Sequence, residues 1–420
     1  MLKLYNHQKI ACRFISEKKY VLIGDEMGLG KTLEAIVALL DVEGVKVVVA
    51  PAHLRNTWKK EIVKWFPKET VEVVGSSKHV YRQANWYILS YSMIEHCEVM
   101  PNAVVFDECH YIKNLSAKRT QNSHTMIAGS KPEYCICLSG TPIKNNATEF
   151  FSVLKLLSLC PTKTNGIRIT EKSQYAFNIR FSYPRTQIVY TPHGSMEVTK
   201  FEGIRNLPRL KSYLKGKYLR RLTKNVLDLP EIIDKDIVIS VKKDKKLLEA
   251  FQEFEAGCKD EHVMRMKASN ALMKVKATVD YVFDLVTEHK EPTIVFTDHV
   301  ASSKAITTEL LVKKLRVGLI YGGIPTNERG YLVDQFQNSE LDVLVCTIGA
   351  ASTRFTLTRS RNMVFNDYSW SFTDMAQAKK RIHRISQDKT CIVHYILISD
   401  ADQWIKKKVM EKEKILTQVL

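Results

Sequence analysis

The first chemistry legible in this chain lies at Gly24-Asp25-Glu26-Met27-Gly28-Leu29-Gly30-Lys31-Thr32. The apolar run Tyr20 to Ile23 precedes it and reads as a buried strand, and Lys31 to Asp41 carries a helical pattern. Strand, glycine-rich turn, helix is the setting in which backbone N–H groups and a helix N-terminus cradle phosphate. Lys31 would there reach the β- and γ-phosphates of ATP, and the Thr32 hydroxyl would bind Mg²⁺. Gly28 and Gly30 would let the backbone approach the phosphates. The strict pattern wants glycine six residues before the lysine, and this chain has Asp25 there.

A second group is Val104-Val105-Phe106-Asp107-Glu108-Cys109-His110. Apolar residues followed by two carboxylates mark the end of a buried strand, where α/β folds place ligand groups. Asp107 is expected to hold Mg²⁺ through water, and Glu108 to polarise the attacking water as general base. A carboxylate pair in a loop is usually a solvated turn; paired with an upstream phosphate loop, the catalytic reading is favoured. His110 has no His or Cys partner at metal-ligand spacing and reads as part of the same polar network. A third group, Gln377, Arg381 and Arg384, is spaced four and three apart, so one helical face presents them together. Guanidiniums delivered to a phosphoryl group stabilise its transition-state charge. Trp58, Trp65 and Trp370 have rings able to stack bases, although a Trp beside an amphipathic helix or a strand end is more often core.

These groups act together only if the fold gathers them. Short apolar runs alternate with amphipathic stretches: Tyr20–Ile23, Val45–Ala50, Trp86–Ser90, Ala103–Asp107 and Tyr134–Ser139 read as parallel strands. The pattern returns in Thr293–Thr297, Val317–Tyr321, Asp342–Thr347, Met363–Asp367 and Cys391–Leu397. The expected fold class is α/β, two doubly wound parallel-sheet lobes, which with the motifs above resemble RecA-like ones, with helical and basic insertions between them. The expected divisions are a first lobe over 1–158, a basic insertion and hinge over 159–230, a helical bridge over 231–290, a second lobe over 291–400 and a C-terminal helix over 401–420.

The chain has 420 residues with 63 Lys+Arg against 45 Asp+Glu, a formal net charge of +18. Between Lys113 and Lys224 stand 20 basic and 5 acidic residues, a net +15 that makes up most of that excess. Such a surplus favours polyanionic partners, nucleic acid first. It is interleaved with Tyr175, Phe177, Phe181, Tyr183 and Tyr190. No apolar run approaches a membrane span, the first residues lack a signal-peptide core, and no membrane partner is expected. Nine scattered cysteines form no CxxC pair and read as buried thiols of a reduced compartment.

Taken together, Asp25–Thr32, Asp107–His110 with Lys113-Asn114, and Leu138-Ser139-Gly140-Thr141-Pro142 resemble the SWI/SNF-type ATPases of helicase superfamily two. His7-Gln8 resembles that family's adenine-reading motif, which implies a nucleotide contact for Gln8. Val49-Ala50-Pro51 and Ser90-Tyr91 resemble its strand-tracking motifs. Leu219-Arg220-Arg221-Leu222 resembles its basic hinge, and Gln377 to Gln387 its arginine-finger helix. The resemblance implies nucleic-acid contacts for Ser90, Tyr91, Lys113, Thr141 and Thr347, and a relay of nucleotide state through Ser139 and Thr141. One departure stands at Ile348–Leu357, where Arg354 replaces an expected glycine; Arg354 is then expected to contact DNA phosphate. Ala350-Ala351, Thr356-Leu357 and Lys200-Phe201-Glu202-Gly203 lean toward the annealing-helicase, fork-remodelling branch.

The implied function is an ATP- and Mg²⁺-dependent translocase moving on double-stranded DNA, forked or branched structures included, and acting as a monomer. A strand-separating DNA or RNA helicase and a nucleotide-gated DNA-binding switch are the alternatives. The compartment would be the cytoplasm of a bacterial or virus-infected cell, or the nucleus of a eukaryote.

Overall fold

The computed structural model describes residues 3–140, 147–160, 169–191, 194–242, 245–255, 261–350 and 355–419. The chain divides into two compact units, one essentially up to Val226 and one from Leu227 onward.

In the first unit, strands β1 (Tyr20–Ile23), β2 (Lys46–Ala50), β3 (Val71–Val73), β4 (Trp86–Ser90), β5 (Ala103–Asp107) and β6 (Tyr134–Leu138) come in chain order. A hairpin, β7 (Tyr183–Thr191) and β8 (Gly194–Glu202), follows, and then a two-residue strand, β9 (Tyr218–Leu219). The sheet runs β3-β4-β2-β5-β6-β1-β9 and every pairing in it is parallel. The strands of its centre are apolar except at their ends, as strands covered on both faces are; β1, β2, β4, β5 and β6 are buried at every position. The antiparallel β7–β8 pair belongs to neither of these parallel sheets.

The second unit holds β10 (Ile232–Lys242), β11 (Thr293–Thr297), β12 (Val317–Ile320), β13 (Val343–Thr347), β14 (Asn362–Phe365) and β15 (Cys391–Ser399). Their order is β10-β15-β14-β11-β13-β12, again parallel. Alternate residues feed two cores: Ile294, Phe296, Leu344 and Phe365 pack on one face, Val295, Val343, Val345 and Val364 on the other. Among the described residues no helix is long and apolar enough to cross a membrane.

Two expectations need correction. Residues 231–290 are not helical throughout, since 232–242 form β10; its charged residues Asp234, Lys235 and Asp236 are tolerated because β10 is an edge strand, paired only with β15. The helix expected to carry Gln377, Arg381 and Arg384 on one face spans Phe372–Lys379 and stops there. Arg381 and Arg384 lie in the turns that follow, where Arg381 N donates to the Ala378 carbonyl at 2.9 Å in a tighter turn than an α-helix makes.

Candidate active site

The sheet order brings the C-terminal ends of β1, β6 and β5 side by side. At about 4.8 Å per strand, β1 and β5 stand roughly 10 Å apart with β6 between them, a span a triphosphate can bridge. The residues after β1 form the phosphate loop, those after β5 the acidic turn, and Ser139 and Gly140 follow β6. Three separate stretches of sequence thus meet at one sheet edge, the edge where parallel α/β folds bind ligands.

In the loop, Gly28 and Gly30 take φ of 93° and 92°, a left-handed backbone that any side chain would strain. Gly30 is the last residue before the helix Lys31–Ala38, so Lys31 and Thr32 start the first turn. The Lys31 ammonium is buried and donates to the carbonyls of Asp25 at 2.6 Å and Glu26 at 3.2 Å. Gln8 is buried against the same loop, its Nε2 donating to the Leu29 carbonyl at 3.2 Å, and a Cβ on Gly30 would collide with it. His7 Nε2 lies 3.0 Å from the same carbonyl. A Cβ on Gly140 would come within 2.6 Å of Met27 Cγ and 3.5 Å of Lys31 Nζ, so the backbone after β6 packs directly on the loop.

At the end of β5, Asp107 is fully buried. Trp58 Nε1 donates to its Oδ2 at 2.7 Å, the Glu108 amide donates to its Oδ1 at 3.0 Å, and the Tyr91 hydroxyl donates to its carbonyl at 2.7 Å. Glu108 itself has φ 53° and ψ 53°, a conformation non-glycine residues hold only where the surroundings impose it. His110 Nδ1 stands 3.4 Å from Glu108 Oε2 and 3.5 Å from Ser139 Oγ, linking the ends of β5 and β6. The donor set of Thr32 hydroxyl and Asp107 carboxylate offers hard oxygen ligands, the kind Mg²⁺ takes.

Beneath the loop lies a clasp that no periodicity in the sequence marks. β9 pairs with β1, and a Cβ on Gly24 would collide with the Tyr218 ring. Arg220 Nη1 donates to the Gly24 carbonyl at 3.0 Å and lies 3.5 Å from the Gly140 carbonyl. Arg221 Nε sits 3.1 and 3.0 Å from the two oxygens of Asp25, which is fully buried, and its Nη2 reaches Asp25 Oδ2 and, at 3.3 Å, Glu34 Oε1. Its Nη1 donates to the His7 carbonyl. Asp25, the departure from the strict loop pattern, is therefore one half of a buried ion pair; that departure was the available signal. Glu34 is held up at about 8 by burial first and the Asp25 charge second, against the lowering pull of Arg221.

In the second unit Arg381 is buried, with its carbonyl accepting from the Leu357 amide. Arg384 Nη1 donates to Thr356 Oγ1 at 2.8 Å and its Nε to the Lys380 carbonyl at 2.8 Å. Gln377 is half-buried on the preceding helix.

The residues expected to meet nucleic acid fall in different surroundings. Ser90 and Tyr91 line a groove of about 730 Å³ together with Pro51, His53, Lys118 and Arg119. Tyr91 is itself buried, stacked 5.4 Å from Tyr111, so it also braces the acidic turn. Lys113 donates to Glu149 at 2.7 Å, and Thr347 is buried at the end of β13. Thr141 and Arg354 lie outside the described residues. Within the basic segment Arg180 pairs with Glu171 at 2.8 Å, and Lys217 is buried against the Lys18 carbonyl. Arg185, Lys200, Lys211 and Lys215 are exposed.

The family model described as the SNF2-related domain matches residues 7–292, and the helicase conserved C-terminal domain matches residues 273–386. The chain belongs to the SNF2-related family. It is 29% identical over 406 residues to the "DNA annealing helicase and endonuclease ZRANB3" of Bos taurus, covering 90% of this chain and 36% of that protein. It is 29% identical over 434 residues to the "SWI/SNF-related matrix-associated actin-dependent regulator of chromatin subfamily A-like protein 1" of Drosophila melanogaster, covering 97% of this chain and 54% of that protein. The chain thus spans between about a third and about half of these relatives' lengths. Among solved structures, the "Sulfolobus solfataricus SWI2/SNF2 ATPase core in complex with dsDNA" aligns with a TM-score of 0.47 at 20% identity, over 100% of this chain and 93% of that one.

Proposed function

We propose that this SNF2-related chain hydrolyses ATP to drive movement along double-stranded DNA. The observation that carries the reading is the junction of three strand ends: a phosphate loop with two left-handed glycines, an acidic turn with Glu108 in a forced conformation, and the Gly140 backbone packed against both Met27 and Lys31. Lys31 would neutralise the β- and γ-phosphates, and Gln8, pinned to the loop, would meet the adenine. Glu108 would take the proton of the attacking water, with His110 at 3.4 Å to orient its carboxylate. Thr32 and Asp107 would hold Mg²⁺, which when bound offsets charge on the phosphate oxygens. Arg381 and Arg384, with Gln377, would supply transition-state stabilisation from the second unit.

Ser90, Tyr91, Lys113, Thr141, Thr347 and Arg354 are proposed to face DNA, together with the exposed cations Arg185, Lys200, Lys211 and Lys215. An annealing or branch-migrating outcome is proposed as well; the bovine relative, which aligns with 90% of this chain, is named an annealing helicase, which favours the first. The chain is proposed to act as a monomer, with its two units as the working parts. The test is ATP hydrolysis measured side by side with duplex, forked and single-stranded DNA and with RNA. Duplex or forked DNA should stimulate most; equal stimulation by RNA, or none by any, would overturn the proposal.

A further inference from the structure

The segment Lys217–Thr223 has no part in the chemistry above, yet it is bonded to three consecutive residues of the phosphate loop. The Gly24 amide donates to the Leu219 carbonyl at 2.8 Å, and the Glu26 amide donates to the Arg221 carbonyl at 3.0 Å. The Thr223 amide donates to the Glu26 carboxylate at 2.6 Å. Between these bonds the Arg221 side chain reaches two buried carboxylates, Asp25 and Glu34. Asp25 precedes the glycines of the loop and Glu34 lies one turn into the helix that follows them. One guanidinium therefore ties the two ends of the phosphate loop together.

We infer that Arg221 is a positioning residue for the nucleotide reaction: by fixing Asp25 and Glu34 it sets the loop from which Lys31 meets phosphate. The inference rests on the ATP-hydrolysing reading of this site. The link to Lys31 is direct, because the carbonyl of Asp25 accepts from the Lys31 ammonium at 2.6 Å while its carboxylate accepts from Arg221. The planar fork of arginine suits this task, since it engages both Asp25 oxygens and still reaches Glu34. A lysine would offer one point charge to two carboxylates. Without a cation there, the Asp25 carboxylate would be a buried charge left without its guanidinium, and the contact that joins the two loop ends would be lost. The pair also accounts for an aspartate where a phosphate loop usually has glycine. Because the chain enters its second unit at Leu227, the loop is held by the stretch that leads out of the first.

The experiment compares wild type, Arg221→Lys, Arg221→Gln, Asp25→Asn and the Arg221→Gln/Asp25→Asn double variant. Affinity for a fluorescent ATP analogue, KM and kcat with saturating duplex DNA, and Tm are measured for each. Arg221→Gln should weaken nucleotide affinity and raise KM on the order of a hundredfold, as misplaced reacting groups do. Arg221→Lys keeps the charge and should fold, with affinity reduced about tenfold as the fork is lost. The double variant should recover at least about tenfold of the affinity lost in Arg221→Gln, because the uncompensated carboxylate is gone. Wild-type affinity and KM in Arg221→Lys would overturn the role assigned to Arg221, whatever happens to the glutamine variant. A double variant that regains Tm but none of the nucleotide affinity would reduce the clasp to scaffold. A wild-type chain that neither binds nor hydrolyses ATP would instead bring down the reading on which the inference rests.

Discussion

The two units are built on the same plan, parallel strands with apolar residues on both faces, yet among the described residues only the first has a glycine loop of this kind after its strand. After β1 the chain spends glycines on a left-handed turn before its helix begins at Lys31. After β11 it passes through Asp298 and His299 straight into the helix Val300–Val312, and the strand end is closed by side chains. Asp367 accepts from Thr297 Oγ1 and, at 3.0 Å, from the Asp298 amide; Thr297 also bonds Ser302 at 2.6 Å. The same edge of the same fold thus offers backbone donors in one unit and a satisfied polar cluster in the other. Each unit also has a buried ion pair, Arg221 with Asp25 in the first and Lys274 with Asp402, at 2.5 Å, in the second. The first pair touches the loop, whereas the second joins two helices and lies over the Tyr368 ring, where its contribution is to folding. The lesson is that the architecture supplies a location, and a handful of side chains decide whether anything happens there.

The largest expected effect tests whether chemistry is confined to the first unit. Lys31→Ala should abolish ATP binding and turnover. Glu108→Gln should still bind ATP but hydrolyse it between about a hundredfold and ten-thousandfold more slowly, as loss of a general base does. Nucleotide titration and DNA-stimulated hydrolysis together check both, and near-normal turnover in Glu108→Gln would remove the base assignment.

Next comes the contribution proposed for the second unit. Arg381→Ala and Arg384→Ala should each lower kcat on the order of a thousandfold with little change in ATP affinity, because a finger acts on the transition state. Weakened ATP binding at an intact saturated rate would mean that these arginines only hold the turns in which they sit.

The buried pairs sharpen the contrast between the units. Asp402→Asn should destabilise the second unit by about 3–5 kcal/mol, since it leaves Lys274 charged in a buried site. Hydrogen exchange should show the loss in β15 and its neighbours, with the phosphate loop unaffected.

A smaller effect is expected at the basic segment. Changing Arg185, Lys200, Lys211 and Lys215 to Gln should flatten the slope of log affinity against log salt, by up to about 0.9 for each DNA phosphate that is no longer neutralised. Hydrolysis without DNA should be unaltered. An unchanged slope would return these residues to a solubilising role.

Finally, the units should answer pH in opposite directions. Burial first, and the Asp25 charge second, hold the Glu34 carboxyl at about 8, above its unfolded value; the stability this gives the first unit is present at low pH and lost as pH rises through about 8. Burial lowers His394 to about 4, so its contribution to the second unit is present above its unfolded value near 6.5 and lost as pH falls toward 4. Glu34→Gln should flatten the alkaline decline in stability and His394→Gln the acidic one; the reverse pairing would refute the assignment.

The sequence by itself determined the strands of both sheet centres, the fold class and the identity of the motifs. β1, β4, β5 and β11 appear with the ends that their apolar runs mark, because a strand buried on both faces must be apolar without interruption. Edge elements are hidden for the converse reason. β10 sets three adjacent charged residues, Asp234 to Asp236, between apolar pairs and runs and reads as part of a helical bridge, and β9, with two residues, is too short to show any period. The end of the helix at Lys379 is equally invisible, since spacings of four and three fit a helix but do not require one. Only the tertiary structure decided which side chains meet: Trp58 on Asp107, Tyr91 beneath the acidic turn, and Arg221 on Asp25 across 196 residues of chain. Periodicity reports the face that a residue turns to its own element's neighbours. A charge pair between distant segments leaves no period, and it exists only once the sheet order has brought the two segments side by side.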